Sequence, residues 1–330
     1  MIRHTLIISL IAVVIAATAS DSFAQRRRAG EDRVTPTQAD VKYGPHERNV
    51  FDLWLPEAAG KARAAAASKA DGAEDKAAAT RLPVYVWFHG GGFVGGDKSG
   101  FDPAPYLKAG MAVVSGNYRF VDGKETLSPV PLLDAARVVQ TLRARADEWN
   151  LDTERIAVSG SSAGAVIALW IGYHDDLADP GSDDPVARQS TRVKCIAPLN
   201  GPTNLDPRWI TKHMGGPPEI HRSFPLLFGA SIPESDRPEV LARIKEMSAV
   251  EHVSADDPPT LLIYAGKLEG IPLPESASQG VLIHHAYFGK VLKESLDAAG
   301  VPNEFHPGTD PRQDNSAAII AWLGDHLLPE

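Results

Sequence analysis

Residues 160–164 read GSSAG, which fits the pattern G-x-S-x-G and places a serine between small neighbours. The short apolar run at 155–159 predicts a buried strand before this motif, and the sequence at 163–173 predicts a helix after it. A tight corner between a strand and a helix strains the backbone and lifts the serine hydroxyl above the sheet. The spacing therefore predicts that Ser162 is the nucleophile of a covalent reaction.

A glycine-rich loop, HGGGF at residues 89–93, follows an apolar run at 82–88 that predicts a second strand. Acyl transfer passes through a tetrahedral oxyanion, and in other hydrolases one donor aimed at this charge contributes roughly 3–4 kcal/mol. Glycine lets the backbone turn its N–H groups inward because it has no Cβ. We therefore predict an oxyanion hole formed by the N–H groups of Gly91, Gly92 and Ala163. The loop matches neither a P-loop nor a dinucleotide-binding fingerprint.

Several segments together resemble the α/β-hydrolase superfamily, and within it the esterases similar to hormone-sensitive lipase. These segments are YGPHERNVFDLWLP at 43–56, HGGGF at 89–93, NYR at 117–119 and GSSAG at 160–164. The resemblance implies an α/β fold with a mostly parallel central sheet flanked by helices, and a carboxylic-ester hydrolase activity. In this architecture the segment at 201–250, which carries several prolines and apolar clusters, falls above the catalytic edge of the sheet. It is interpreted as a small lid that shapes the acyl or alcohol pocket, with a packed surface loop as the alternative.

The remaining catalytic groups follow from the chain order of this superfamily, in which the serine precedes an acid and then a histidine. The acid belongs after the strand predicted at 259–265; related esterases usually place an aspartate there, and this chain offers Glu269. The histidine should follow the last strand, which favours His306 as the general base. His285, at the start of the helix after the acid loop and beside His284, is the alternative base.

The function predicted from these residues is a serine esterase that cleaves small or medium carboxylic esters through an acyl-enzyme. This chemistry requires no cofactor, and no metal site is predicted because the acidic stretch at 174–184 does not fit a calcium-binding loop. A polysaccharide-directed acetyl or feruloyl esterase is a second interpretation, because the short region before residue 41 lacks the cap helices of lipase-like relatives. A binding protein that has lost its base is a third, because the Gly-His pair typical of the last loop is missing.

The N-terminus predicts export. Arg3 and His4 precede an apolar run at 6–17, and small residues before a cleavage point end at Ala24, so residues 1–24 are predicted to be a signal peptide. The mature protein would then be secreted or periplasmic. The apolar run is short for a membrane span, so no stable membrane insertion is predicted. A net charge of −9 argues against a nucleic-acid partner, which leaves a small-molecule or polysaccharide-linked ester as the expected substrate.

The rest of the 330 residues suffices for one large domain, predicted over 39–330 after a flexible N-terminus at 25–38. Within it, residues 57–81 contain 12 alanines and scattered charges without a sustained apolar face. That composition predicts an exposed insertion that carries no chemistry. Cys195 is the one cysteine of the sequence, and its apolar surroundings predict that it is buried.

Overall fold

The computed structural model describes residues 34–56, 81–310 and 314–327. Within them, eight strands form one sheet. The strands are β1 Gln38–Lys42, β2 Val50–Trp54, β3 Leu82–Phe88, β4 Ala112–Gly116, β5 Leu151–Ser161, β6 Cys195–Leu199, β7 Thr260–Tyr264 and β8 Asn303–Pro307. Their spatial order is β1-β2-β4-β3-β5-β6-β7-β8. The pairs β1–β2 and β2–β4 are antiparallel, and every later pair is parallel.

Helices and short turns connect these strands. The helices of the described residues are α1 Ala104–Lys108, α2 Val130–Ala144, α3 Ala146–Trp149, α4 Ala163–Tyr173, α5 Pro207–Met214, α6 Phe224–Phe228, α7 Pro238–Met247, α8 Gln279–Ile283, α9 Tyr287–Ala299 and α10 Ser316–His326. The helix α4 directly follows β5, and every residue of α4 is buried. None of the helices within the described ranges has the length and hydropathy needed to cross a membrane.

Successive side chains of β3 enter two separate cores, because side chains alternate across a strand. Val84 and Val86 belong to the larger core, which also holds buried residues of α2, α4 and α9. Tyr85 belongs to the smaller core, together with Tyr106 of α1 and Trp322 of α10. Both faces of the sheet are therefore covered, and this explains why β3 is a continuous apolar run rather than an alternating one.

The fold predicted from the motifs is confirmed: a mostly parallel sheet is flanked by helices, and β3 and α4 lie where the sequence places them. Cys195 is buried, also as predicted, and burial raises the pKa of its thiol to about 12. The signal peptide predicted at 1–24, and the predicted insertion except for Arg81, lie outside the described residues.

Two boundaries differ from the predictions. The strand β1 begins at Gln38, the last residue of the segment predicted to be flexible, and the Gln38 side chain accepts a hydrogen bond of 3.2 Å from the Trp149 indole. The helix expected to begin near residue 284 begins instead at Tyr287. A separate helix, α8, ends at Ile283, so His284 and His285 lie in a junction between two helices.

Candidate active site

Ser162 occupies the sharp corner between β5 and α4. Its backbone has φ 56° and ψ −113°, a sparsely populated conformation that costs of order 1–3 kcal/mol for a residue with a Cβ. The Ser162 N–H donates to the Leu199 carbonyl at 2.9 Å and so ties the corner to the neighbouring strand. Gly164 has to be glycine, because a Cβ there would overlap the carbonyl oxygen of Phe88. The sequence therefore builds the corner that a nucleophilic serine needs.

Three backbone N–H groups in the glycine-rich loop and at the start of α4 are available as donors. Gly91 and Gly92 both have positive φ, 120° and 62°, which turns the loop back on itself. Ala163 is the first residue of α4, and the first N–H groups of a helix have no acceptor within the helix. Within the described ranges, no acceptor is found for the N–H of Gly91, Gly92 or Ala163. This arrangement can bind an oxyanion, and the positive end of the helix dipole favours the same charge.

The glycine-rich loop is held in place by Arg48. Its guanidinium donates to the Tyr118 carbonyl at 2.8 Å, to the Gly96 carbonyl at 3.2 Å and to His89 Nε2 at 3.2 Å. Arginine is a donor only, so His89 accepts at Nε2 and carries its proton on Nδ1, which donates to the Gly90 carbonyl at 2.7 Å. Burial lowers the pKa of His89, and the charge of Arg48 lowers it further. His89 is therefore neutral in one tautomer.

His284 is the histidine in contact with Ser162. Its Nε2 lies 2.9 Å from Ser162 Oγ, within the range in which a general base can take a proton. Burial lowers the pKa of His284, while the carbonyl of Gly280 acts in the opposite direction as a hydrogen-bond acceptor. The lowered pKa keeps the ring neutral at pH 7, and only a neutral ring can accept the proton.

The two histidines predicted as the base lie elsewhere. His306 Nε2 is 3.1 Å from Glu304 Oε2 on the edge strand β8, and 43 % of its side-chain surface is exposed. His285 Nδ1 accepts from the Tyr287 N–H at 3.1 Å, and its Nε2 donates to the carbonyl of Glu269 at 3.3 Å. The structure brings neither ring into a hydrogen bond with Ser162, which differs from the sequence prediction.

The physical reason is the junction between α8 and α9. Chain order predicts a histidine after the last strand, but here the break between two helices places His284 at the serine instead. The adjacent His285 faces the loop that carries Glu269. The sequence gives little warning of this break: Ser278 caps the N-terminus of α8 by accepting from the Val281 N–H at 3.2 Å, and Ala286, which precedes α9, makes no side-chain cap.

Glu269, the predicted acid, lies in an exposed loop after β7. Within the described ranges, no carboxylate is hydrogen-bonded to His284. Glu269 nevertheless lines a cavity of about 560 Å³ that also borders His284, and it is the acidic residue of that lining. The structure thus places Glu269 in the same cavity lining as His284 without a hydrogen bond to its ring, and its role as the acid stays a prediction.

The segment at 201–250, here called the lid segment, forms most of the wall of a smaller cavity beside Ser162. This cavity measures about 50 Å³. Its lining from the lid segment is almost entirely apolar and consists of Pro202, Leu205, Ile210, Ile220, His221, Ser223, Phe224, Leu227 and Phe228. A small apolar cavity next to a serine hydroxyl is suited to the carbon chain of a short acyl group.

Over 34–56, 81–310 and 314–327, no group of three or more His, Cys, Asp or Glu side chains is placed to hold a metal ion.

Comparison with known proteins places the chain in a family. The model of the BD-FAE family matches residues 72–279. An AB hydrolase superfamily protein of Schizosaccharomyces pombe is 32 % identical over 110 residues, which are 32 % of this chain and 31 % of that protein. Esterase LipI of Mycobacterium tuberculosis is 37 % identical over 102 residues, 30 % of this chain and 31 % of the esterase. The aligned region thus spans about a third of each curated relative.

Solved structures resemble the chain over most of its length. An acetyl ester-xyloside bifunctional hydrolase from Caldicellulosiruptor lactoaceticus superposes with a TM-score of 0.62 at 21 % identity, over 88 % of this chain and 97 % of the other. A thermophilic esterase from Thermogutta terrifontis superposes with a TM-score of 0.58 at 21 % identity, over 88 % and 93 % of the two chains. At this identity the likeness establishes the α/β-hydrolase fold.

Proposed function

The chain belongs to the BD-FAE family, and from that membership and the geometry at Ser162 we propose that it is a serine hydrolase that cleaves carboxylic esters through an acyl-enzyme. One observation carries the proposal: His284 Nε2 lies 2.9 Å from Ser162 Oγ on a strained corner, while the N–H groups of the glycine-rich loop and of Ala163 have no acceptor among the described residues. These are the nucleophile, the base and the oxyanion donors that acyl transfer requires.

The first half of the reaction forms the acyl-enzyme. Ser162 Oγ attacks the ester carbonyl carbon while its proton passes to His284 Nε2. The carbonyl oxygen becomes an oxyanion that accepts hydrogen bonds from Gly91, Gly92 and Ala163. The tetrahedral intermediate then collapses: the bond to the alcohol oxygen breaks, and the Nε2 proton moves to that oxygen.

The second half releases the acid. Water attacks the acyl carbon, gives its proton to His284 Nε2 and forms a second oxyanion in the same hole. Collapse returns the proton to Ser162 Oγ and frees the carboxylic acid. Because His284 must reach both the serine and the alcohol oxygen, we assign the acyl chain to the 50 Å³ apolar cavity and the alcohol to the 560 Å³ cavity that borders His284.

Glu269 is proposed as the acidic partner of the base. It is the carboxylate among the residues that line the cavity beside His284, and His285 holds its loop through the bond to the Glu269 carbonyl. A carboxylate near the imidazole would stabilise the imidazolium that forms during the reaction. The Gly280 carbonyl already accepts a hydrogen bond from His284 and so orients the ring. The carboxylate would stabilise a ring orientation that exists without it.

A polysaccharide-linked ester is the second candidate substrate. The cavity assigned to the alcohol is wide, and polar side chains such as Asn200, Lys267 and Ser278 line it, as a sugar would require. Among the structural neighbours are an acetyl ester-xyloside hydrolase and a carbohydrate esterase from gut microbiota. An acetyl or feruloyl ester of a sugar would place its sugar in this cavity.

Export of the enzyme is part of the proposal. The basic, apolar and small residues at 1–24 motivate it, and cleavage after Ala24 would leave Gln25 as the first residue. Mass spectrometry of extracellular or periplasmic protein should find that terminus. Exported protein that begins at Met1 would contradict the cleavage.

The decisive experiment combines activity with covalent labelling. Purified mature protein should hydrolyse p-nitrophenyl esters, and a fluorophosphonate should label Ser162. Ser162→Ala should abolish both, while Ser161→Ala, its neighbour in the same motif, should keep both. Labelling that persists in Ser162→Ala, or a wild type that neither hydrolyses esters nor reacts with the fluorophosphonate, would leave the binding-protein interpretation.

A further inference from the structure

His221 is a second histidine at the cavity beside Ser162, and the mechanism above does not use it. It lies in the lid segment, just before α6. Its ring rests against the glycine-rich loop: a Cβ added to Gly92 would stand 2.7 Å from His221 Cε1 and 3.5 Å from His221 Nε2. Ser162, Gly92 and His221 line the same cavity. The lid segment therefore brings an imidazole to the place where the acyl group binds.

Ser223 fixes the proton of this imidazole. The Ser223 N–H donates to His221 Nδ1 at 3.2 Å, and Ser223 Oγ lies 2.6 Å from the same nitrogen. A ring nitrogen that accepts a hydrogen bond carries no proton, so the proton of the neutral ring is on Nε2. Burial lowers the pKa of His221, and the nearby Arg222 and His284 lower it further. The ring is therefore a neutral donor through Nε2.

Among the residues that the structure describes, this Nε2 donor has no acceptor. Apart from His221, Ser162 and Ser223, the cavity is lined by carbon-rich side chains and by Gly92. A donor that loses its hydrogen bond to water and finds no other acceptor costs free energy. A ligand that supplies an acceptor oxygen should therefore bind more tightly than one that does not.

We propose that His221 selects short acyl groups that carry a hydrogen-bond acceptor oxygen close to the carbonyl carbon, such as alkoxyacyl or hydroxyacyl groups. The proposal rests on the esterase function proposed above. An alkyl acyl group of the same shape would leave the Nε2 proton unmatched. The cavity volume of about 50 Å³ limits the chain to a few heavy atoms, which keeps any acceptor oxygen near His221.

Two isosteric substrates test the proposal. The p-nitrophenyl esters of methoxyacetate and butanoate have acyl groups of equal length and differ by an ether oxygen in place of a methylene. The ratio of their kcat/KM values in the wild type, divided by the same ratio in His221→Phe, cancels their intrinsic reactivities. We expect the preference for methoxyacetate to fall roughly 2- to 10-fold in His221→Phe, the contribution of one neutral hydrogen bond. His221→Leu serves as a second variant with the same expectation.

An unchanged ratio would overturn the proposal. An equal loss of kcat/KM on both esters would do the same, because it would mean that His221 stabilises the loop or the oxyanion and makes no selective contact with the acyl group. A larger effect on butanoate than on methoxyacetate would also contradict it.

Binding to an inactive protein separates this proposal from the esterase function. In Ser162→Ala, NMR titration should show tighter binding of ethyl methoxyacetate than of ethyl butanoate, and His221→Phe added to Ser162→Ala should remove the difference. Equal Kd values, or a preference that survives His221→Phe, would overturn the role of His221. A wild type that fails to react with a fluorophosphonate would overturn the esterase function alone.

Discussion

The two sides of Ser162 are built in different ways. On the oxyanion side, Arg48 makes hydrogen bonds to three separate residues, and the hydroxyl of Tyr118 donates to the His89 carbonyl at 2.8 Å. On the base side, His284 stands at a junction between two helices, and among the described residues its ring nitrogens are hydrogen-bonded to Ser162 Oγ and the Gly280 carbonyl. One side is fixed by several distant segments, and the other depends on one local break.

The difference follows from what each side does in the proposed reaction. An oxyanion hole stabilises charge because its dipoles are already aimed and need not reorganise, so its backbone must be held still. The base has to exchange a proton with the serine and then with the alcohol oxygen. A ring with few fixed contacts is compatible with that exchange, and a fully bonded ring such as His89 is not.

Loss of His284 should have the largest effect on the base side. His284→Ala should lower kcat by about 10²–10⁴-fold, because the serine would have no base. His306→Ala should stay within about twofold of the wild type, since the His306 ring is paired with Glu304 on an edge strand. Steady-state kinetics of the two variants on the same p-nitrophenyl ester checks both. The reverse pattern would return the role of the base to His306.

His285 needs a separate control because it is the neighbour of His284. His285→Gln should lose less activity than His284→Ala, since its bond to the Glu269 carbonyl holds a loop and does not touch the serine. If His285→Gln matched His284→Ala while circular dichroism and thermal unfolding stayed unchanged, the contact between His284 and Ser162 would not be the reactive one.

Removal of the Arg48 side chain should have the next largest effect, on the oxyanion side. Arg48→Met should lower kcat by about 10- to 100-fold with KM little changed, because the loop that carries Gly91 and Gly92 would lose its anchor. The variant should also lose about 1–3 kcal/mol of unfolding free energy, since carbonyls and His89 Nε2 would lose their donor.

The control for Arg48 is Arg48→Lys. Lysine keeps the charge but cannot reach three acceptors with a planar fork, so its activity should lie nearer to Arg48→Met than to the wild type. Activity restored by Arg48→Lys would mean that the charge, and not the set of hydrogen bonds, holds the loop. Urea unfolding measured beside the kinetics separates a displaced loop from a poorly folded protein.

The same contrast explains what the sequence could predict. The corner at Ser162 and the donors at Gly91 and Gly92 depend on backbone geometry, and that geometry leaves glycines at fixed spacing in the sequence. The fold follows from the same segments. The anchor Arg48 lies within the matched N-terminal segment, but its contact with His89, 41 residues away, requires the folded sheet.

The base could not be predicted in the same way. A histidine base needs no special backbone conformation and therefore leaves no glycines at fixed spacing in the sequence. Its role depends on where its side chain points after folding. His284 and His285 are adjacent, and at a junction between helices neighbouring side chains point in different directions. The helix cap at Ser278 indicates where α8 begins and not where it ends, and only the structure shows which of the two rings faces Ser162.

Neutralising Glu269 should have a moderate effect and tests whether the base side has an acidic partner. Glu269→Gln should lower kcat by about tenfold, less than His284→Ala, because the Gly280 carbonyl continues to orient the ring. The matched control is Glu304→Gln, which removes a carboxylate near His306 and should leave kcat unchanged. Equal kcat values for Glu269→Gln and the wild type would mean that Ser162 and His284 act as a pair, without Glu269 as an acidic partner.

The smallest effect is expected in the pH dependence, and it reports on the base directly. The reaction needs a neutral His284, so kcat/KM should fall as the pH decreases through the pKa of this ring in the free enzyme. Burial lowers that pKa from its ordinary value of 6.5, so the midpoint of the acid limb should lie below pH 6.5. A carboxylate near the ring would favour its protonated form, so Glu269→Gln should move the midpoint still lower if Glu269 approaches His284 during the reaction. Initial rates read at the isosbestic wavelength of p-nitrophenol give the profile. A midpoint above pH 6.5 would mean that a histidine stabilised in its charged form, and not the buried His284, controls the reaction.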